Sequence, residues 1–107
     1  VTLVAAPGAG KFLICHRVIE YLTYGTVAYT GSGTTTINWA GEAAVVGEIA
    51  TLDSGVSSIN SSDDTSVYVQ AANAVNKALT VSSDAALTDG DGTLTVTVWY
   101  TIEDVPA

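Results

Sequence analysis

The clearest pattern in the chain lies near its C-terminal end. From Thr93 to Ile102, the residues Leu94, Val96, Val98, Tyr100 and Ile102 alternate with Thr93, Thr95, Thr97, Trp99 and Thr101. A period of two sends successive side chains to opposite faces, so this segment reads as a β-strand with one apolar and one threonine face. It is expected to be central or near-central in its sheet, with Val96 and Val98 buried. Trp99 falls on the threonine face, where an aromatic ring marks a second packed layer or a subunit contact. Asp89-Gly90-Asp91-Gly92 precedes the strand and supplies what a tight turn needs, positive φ and short capping side chains.

Upstream the pattern is less regular. Thr2 to Ala6 reads as a short strand closed by Pro7-Gly8-Ala9-Gly10, and Phe12 to Tyr24 as a long apolar run that its β-branched and aromatic content assigns to a strand. Thr26 to Thr30 and Thr34 to Ala40 flank Gly31-Ser32-Gly33, which suggests a hairpin with Thr35, Ile37 and Trp39 on one face. Glu42 to Leu52 is rich in Ala and Val without clear alternation, and Asp53 to Thr65 is polar enough to read as an exposed, mobile loop. Between Gln70 and Leu79, the positions Ala71, Ala74, Val75, Ala78 and Leu79 fit one helical face, and Leu79 and Val81 also fit a strand running to Ser83. A short helix feeding a strand accommodates both. The sum is an all-β chain of about seven or eight short strands, expected to form one β-sandwich domain over residues 1–107, with a jelly roll as one form of it.

Composition narrows the function classes. With 107 residues the chain fits one domain with one core. Charged residues make up 13% of it, against about a quarter in ordinary domains. A surface of hydroxyls and apolar groups is easier to desolvate against a partner than one of Lys and Glu, because ion hydration is the larger penalty. The net charge of −8, with Lys11, Arg17 and Lys77 as the cations, argues against binding nucleic acid or an anionic membrane. No stretch approaches the roughly 18 apolar residues of a spanning helix. The single cysteine, Cys15, lies in an apolar run and reads as a small buried hydrophobe, since no base or cation cluster nearby would lower its pKa. Val1 is not an untouched translation start in a chain without Met, so an upstream segment is expected to be missing.

Four constellations resemble sites. Ala5-Ala6-Pro7-Gly8-Ala9-Gly10-Lys11 echoes a phosphate-binding loop, but Phe12 stands where a hydroxyl should hold magnesium and no helix follows, so it reads as a β-turn. Asp89 and Asp91 echo the start of a calcium loop whose terminal acid is replaced by Tyr100. Asp63-Asp64 could join them in space, but solvated turns account for these residues. His16 is the only histidine, lies beside Arg17 with Glu20 nearby, and reads as structural. Tyr21, Tyr24, Tyr29, Tyr68, Tyr100, Trp39 and Trp99 could line a sugar-binding face, and core packing is expected to account for most of them. No catalytic, cofactor-binding or metal-ligating residue is assigned, and no enzymatic activity is expected.

Several segments taken together resemble a known kind of protein. They are Thr2 to Lys11, Tyr24-Gly25 with Ala28-Tyr29-Thr30, Asn76-Lys77-Ala78-Leu79, and Gly90-Asp91-Gly92-Thr93-Leu94 leading into Trp99-Tyr100. In this order they resemble the small structural proteins of tailed bacteriophages, of the capsid decoration, cement or head-fibre kind. The resemblance implies a β-sandwich unit, commonly a homotrimer, clamped over the major capsid protein on the outer surface of the virion. It carries over no attachment residue and no cofactor. A tail or fibre domain that binds a host receptor or glycan is the alternative.

Overall fold

Lys11–Thr23 (β2), the apolar run of the sequence, forms the longest strand of the molecule. The computed structural model describes residues 1–30, 34–42, 45–50, 54–63, 69–83 and 88–106, with backbone alone for 34 and 45–50. The other strands are Thr2–Val4 (β1), Thr34–Trp39 (β3), Val45–Ala50 (β4), Ser58–Asp63 (β5), Leu79–Ser83 (β6) and Thr93–Asp104 (β7). A single turn of 3-10 helix, Ala71–Asn73, precedes β6. The described elements are all-β, in two antiparallel sheets. One has the order β1-β6-β3-β4 and the other β5-β2-β7. At about 3.3 Å per residue, the 13 residues of β2 extend about 43 Å in a molecule whose longest dimension is 53 Å.

One irregularity decides which residues of β2 face inward. Cys15 pairs with Tyr100 and Arg17 with Trp99, so β2 carries one residue more than β7 across this step, a β-bulge. Before it Leu13 and Cys15 are buried, and after it Val18, Glu20 and Leu22 are. The alternation changes phase at the bulge, which is why the run looks continuously apolar in the sequence. Across from it, Thr35, Ile37 and Trp39 of β3 are all buried on one face, as their spacing implies. Leu13, Cys15, Val18, Ile37, Trp39, Ala74 and Leu79 form one buried cluster drawn from both sheets and from the end of the 3-10 turn. Among the described residues, polar contacts also join the sheets. The Trp39 indole N–H donates to the Leu13 carbonyl at 3.0 Å, and the Thr35 hydroxyl donates to Glu20.

Several expectations need correction. β7 does run through Thr93 to Ile102, but it is the edge of its sheet rather than a central strand. Val96 and Val98 are accordingly half-buried, packed against the cluster without being enclosed by it. Among the described residues, Thr26 to Thr30 and Thr34 to Ala40 do not pair as the two arms of a hairpin. β3 pairs with β4 and β6, while Thr30 makes an isolated bridge with Thr88, because the 24–30 segment is held against the turn before β7. Residues 31–33 lie outside the described residues. The segment read as a loop from Asp53 contains β5, which pairs with β2 along its whole length. Its pattern is inverted: Ser58, Asn60 and Ser62 are half-buried while Ile59 is exposed, so hydropathy alone could not reveal it. In the 70–79 segment the helix stops after one turn. Asn76 takes a positive φ of 54° and donates its N–H to the Lys11 carbonyl instead of to a helical partner.

This packing separates two isoleucines of the same chemistry. Ile37→Ala empties a fully buried site and is expected to cost about 2–5 kcal/mol, whereas Ile59→Ala, on an exposed position, is expected to stay within about 0.5 kcal/mol. Urea unfolding of both variants checks the assignment of inner and outer faces.

Candidate functional site

The face of the three-stranded sheet turned away from the buried cluster is the most distinctive surface of the described residues. Pairing sets side chains in rows across it: Asp63, Arg17 and Trp99 in one, Ser61, Ile19 and Thr97 in the next, and Ile59, Tyr21 and Thr95 in a third. Ile59 is 65% exposed, Trp99 45% and Tyr21 43%, so the rings and the isoleucine are open to solvent. Arg17 is the cation of this face, and it is already engaged. Its Nε lies 3.4 Å from Asp63 Oδ1, and its guanidinium carbon stands 4.9 Å from the centroid of the Trp99 ring. His16, pushed outward by the bulge, meets Thr101 Oγ1 through Nε2 at 2.9 Å. The result is a broad strip of hydroxyl, aliphatic and aromatic groups with its charges paired. Such a strip suits adhesion to another surface.

The residues singled out in the sequence are dispersed. In the segment resembling a phosphate loop, Lys11 N–H donates to the Gly8 carbonyl and closes a turn. The Gly8 N–H is taken by Asn76 Oδ1 at 2.9 Å, and the Lys11 ammonium is paired with Asp104. Cys15 is buried as expected, and burial pushes its thiol above the ordinary range despite a contact with the Arg17 carbonyl. Asp63 lies beside Arg17, away from Asp89 and Asp91, and Asp64 is outside the described residues. Among the described residues no three His, Cys, Asp or Glu side chains converge as metal ligands. The aromatic residues are less buried than their composition implies. Trp39 is enclosed, Tyr21, Tyr100 and Trp99 are exposed, and Tyr68 lies outside the described residues.

Asp91 does cap backbone N–H groups, but distant ones. Its carboxylate accepts from the Thr26 hydroxyl and from the N–H groups of Thr26 and Val27, sixty-odd residues earlier in the chain. The Thr26 hydroxyl and then these backbone donors hold its pKa below the usual aspartate range. Tyr29 closes the same clasp by donating to the Gly92 carbonyl at 2.6 Å. The approach is so close that a Cβ at Gly25 would fall on the Asp91 carboxylate, and one at Gly90 on the Tyr29 ring. The Asp-Gly-Asp-Gly segment is therefore a lock between two loops.

Sequence reasoning passed over Glu20. It is 1% exposed, Thr35 donates to its Oε1, and its Oε2 is buried without a hydrogen-bond partner among the described residues. Burial raises its pKa, and the Thr35 hydrogen bond offsets this only in part. The signal was present in the strand period, since Glu20 lies between Val18 and Leu22 on the same face. One further feature is an apolar cleft of about 370 Å³, bounded by Phe12, Ile14, Trp39, Val69, Ala74 and Val105. No protein-family model, curated protein or solved structure matches this chain.

Two pH responses of opposite sign follow. The lowered pKa of Asp91 means that its contribution is present above the ordinary aspartate value, near pH 4, and is lost as pH falls through the folded value. Asp91→Ala should therefore melt below the wild type at pH 7, with the gap narrowing at pH 3. Glu20 behaves in reverse: its raised pKa stabilises the fold at low pH, and that stabilisation fades as pH rises above the ordinary glutamate value. Glu20→Gln should remove this decline, which is limited to about 1.4 kcal/mol per pH unit. Denaturant melts from pH 4 to pH 8 would read it as a variant that gains on the wild type with rising pH.

Proposed function

We propose that this chain is a virion structural protein of a tailed bacteriophage that decorates or cements the outer capsid surface as a homo-oligomer and carries out no catalysis. The observation that supports it best is the outer strip of the β5-β2-β7 sheet, where Ile59, Tyr21, Trp99 and a row of threonines stand exposed and Arg17 is already paired. Such a strip loses little hydration on contact, which suits a protein that binds by area. An oligomer would multiply weak contacts of this kind, since the second and third contacts form within one rigid body. We further propose that the two sheets make a β-sandwich. The shared buried cluster and the cross-sheet hydrogen bonds from Trp39 to Leu13 and from Thr35 to Glu20 support that reading. The acidic charge accords with a position away from packaged DNA, and the partner proposed from the family resemblance is the major capsid protein.

The exposed Trp99 and Tyr21 also favour a second reading, a tail or fibre domain whose aromatic rings stack on host glycans. Particles stripped of this protein and then re-incubated with it separate the two. Rebinding in many copies per particle, with no signal on a glycan array, is the outcome expected of a decoration protein. Saturable glycan binding without capsid rebinding would replace it with the fibre reading.

A further inference from the structure

β7 leaves a long edge open. Over Thr93–Asp104 it pairs with β2 on one side, and among the described residues no strand pairs with the other. Twelve residues at about 3.3 Å each make an unpaired row of N–H and C=O groups about 40 Å long. Natural edges of this length are guarded by charges, proline, a bulge or shortness. Between Thr93 and Ile102 there is neither a charge nor a proline, and the bulge of this pair lies on β2. Trp99 on one face of the strand and Tyr100 and Ile102 on the other are 45%, 43% and 51% exposed.

The segment is also complementary to itself. In antiparallel pairing about Val98, Leu94 stands opposite Ile102 of a second copy, Val96 opposite Tyr100, Thr95 opposite Thr101 and Thr97 opposite Trp99. These are aliphatic, aromatic with β-branched, and threonine pairs, the kinds that stabilise sheets. The faces are preserved, so apolar side chains meet apolar ones and the threonine faces of both copies join. Glu103 and Asp104 fall at the two far ends of the ladder, where no acid opposes another, and Asp104 is already paired with Lys11.

We propose that β7 pairs with β7 of a second copy across a two-fold axis at Val98, making one continuous six-stranded sheet. The contact at this edge is then isologous and two-fold, not the threefold contact that the family resemblance implies. This inference goes beyond the virion reading and does not depend on it. Each copy carries a net charge of −8, so association should strengthen as salt screens the repulsion.

Light scattering after size-exclusion chromatography, from micromolar to near-millimolar protein at low and high salt, gives the first test, and a dimer favoured by salt is expected. Two double variants test the register on exposed threonines of the strand. Thr95→Glu with Thr101→Glu sets acid against acid at both ends of the ladder and should weaken dimerisation about tenfold or more. Thr95→Lys with Thr101→Glu sets opposite charges there and should restore it. Both variants should melt as monomers near the wild-type temperature, which separates lost pairing from lost folding. A monomer at every concentration, a trimer, or a dimer equally strong in both variants would overturn the proposal. Capsid rebinding by a chain that remains monomeric would also overturn it, while leaving the virion reading in place.

Discussion

β2 is the middle strand of the three-stranded sheet, and the extra residue at its bulge sets the facing of nearly every side chain around it. With Leu13 and Cys15 inward on one side of the bulge and Val18, Glu20 and Leu22 inward on the other, both halves of the strand cover the same cluster. A strand of this length without the bulge would turn one half of its apolar set to solvent, since a slip of one residue inverts the faces. The same insertion turns His16 and Arg17 outward together. The Arg17 stack on Trp99 and the His16 contact with Thr101 therefore follow from the device that fills the core.

What the sequence revealed depended on whether the hydropathy period survived folding. β7 and β3 keep a clean period of two, and their inner faces can be read directly from Leu94, Val96 and Val98 and from Thr35, Ile37 and Trp39. β5 was hidden because it turns Ser58, Asn60 and Ser62 inward and Ile59 outward, the reverse of the usual pattern. The position of β7 at an edge was also illegible, because strand order depends on which segments pair across long separations. The alternation of β7 carries no trace of that order.

The candidate surface was partly legible. Trp99 announced itself as an aromatic on a threonine face, and the outer strip bears this out in its exposure. Its neighbours Ile59, Tyr21 and Arg17 come from two other strands, and only the pairing register places them beside it. The sequence suggests that Asp91 caps its own local turn, whereas its partners Thr26 and Val27 lie far upstream and the structure has a tie between loops. Glu20 stood in plain view between two inward apolar residues.

The order of the strands along the chain has a kinetic consequence. Both neighbours of β2 come later than β2 itself, and the Lys11 to Asp104 contact at the end of the β2-β7 ladder spans 93 positions. Ladders closed over such separations form slowly, because the entropy of closing the loop is lost before the contacts reward it. During synthesis β2 therefore leaves the ribosome long before β7 exists to cover its flank. For that interval its apolar residues are open to any other chain nearby, and the time taken to make the last strand sets how long the nascent protein depends on shielding.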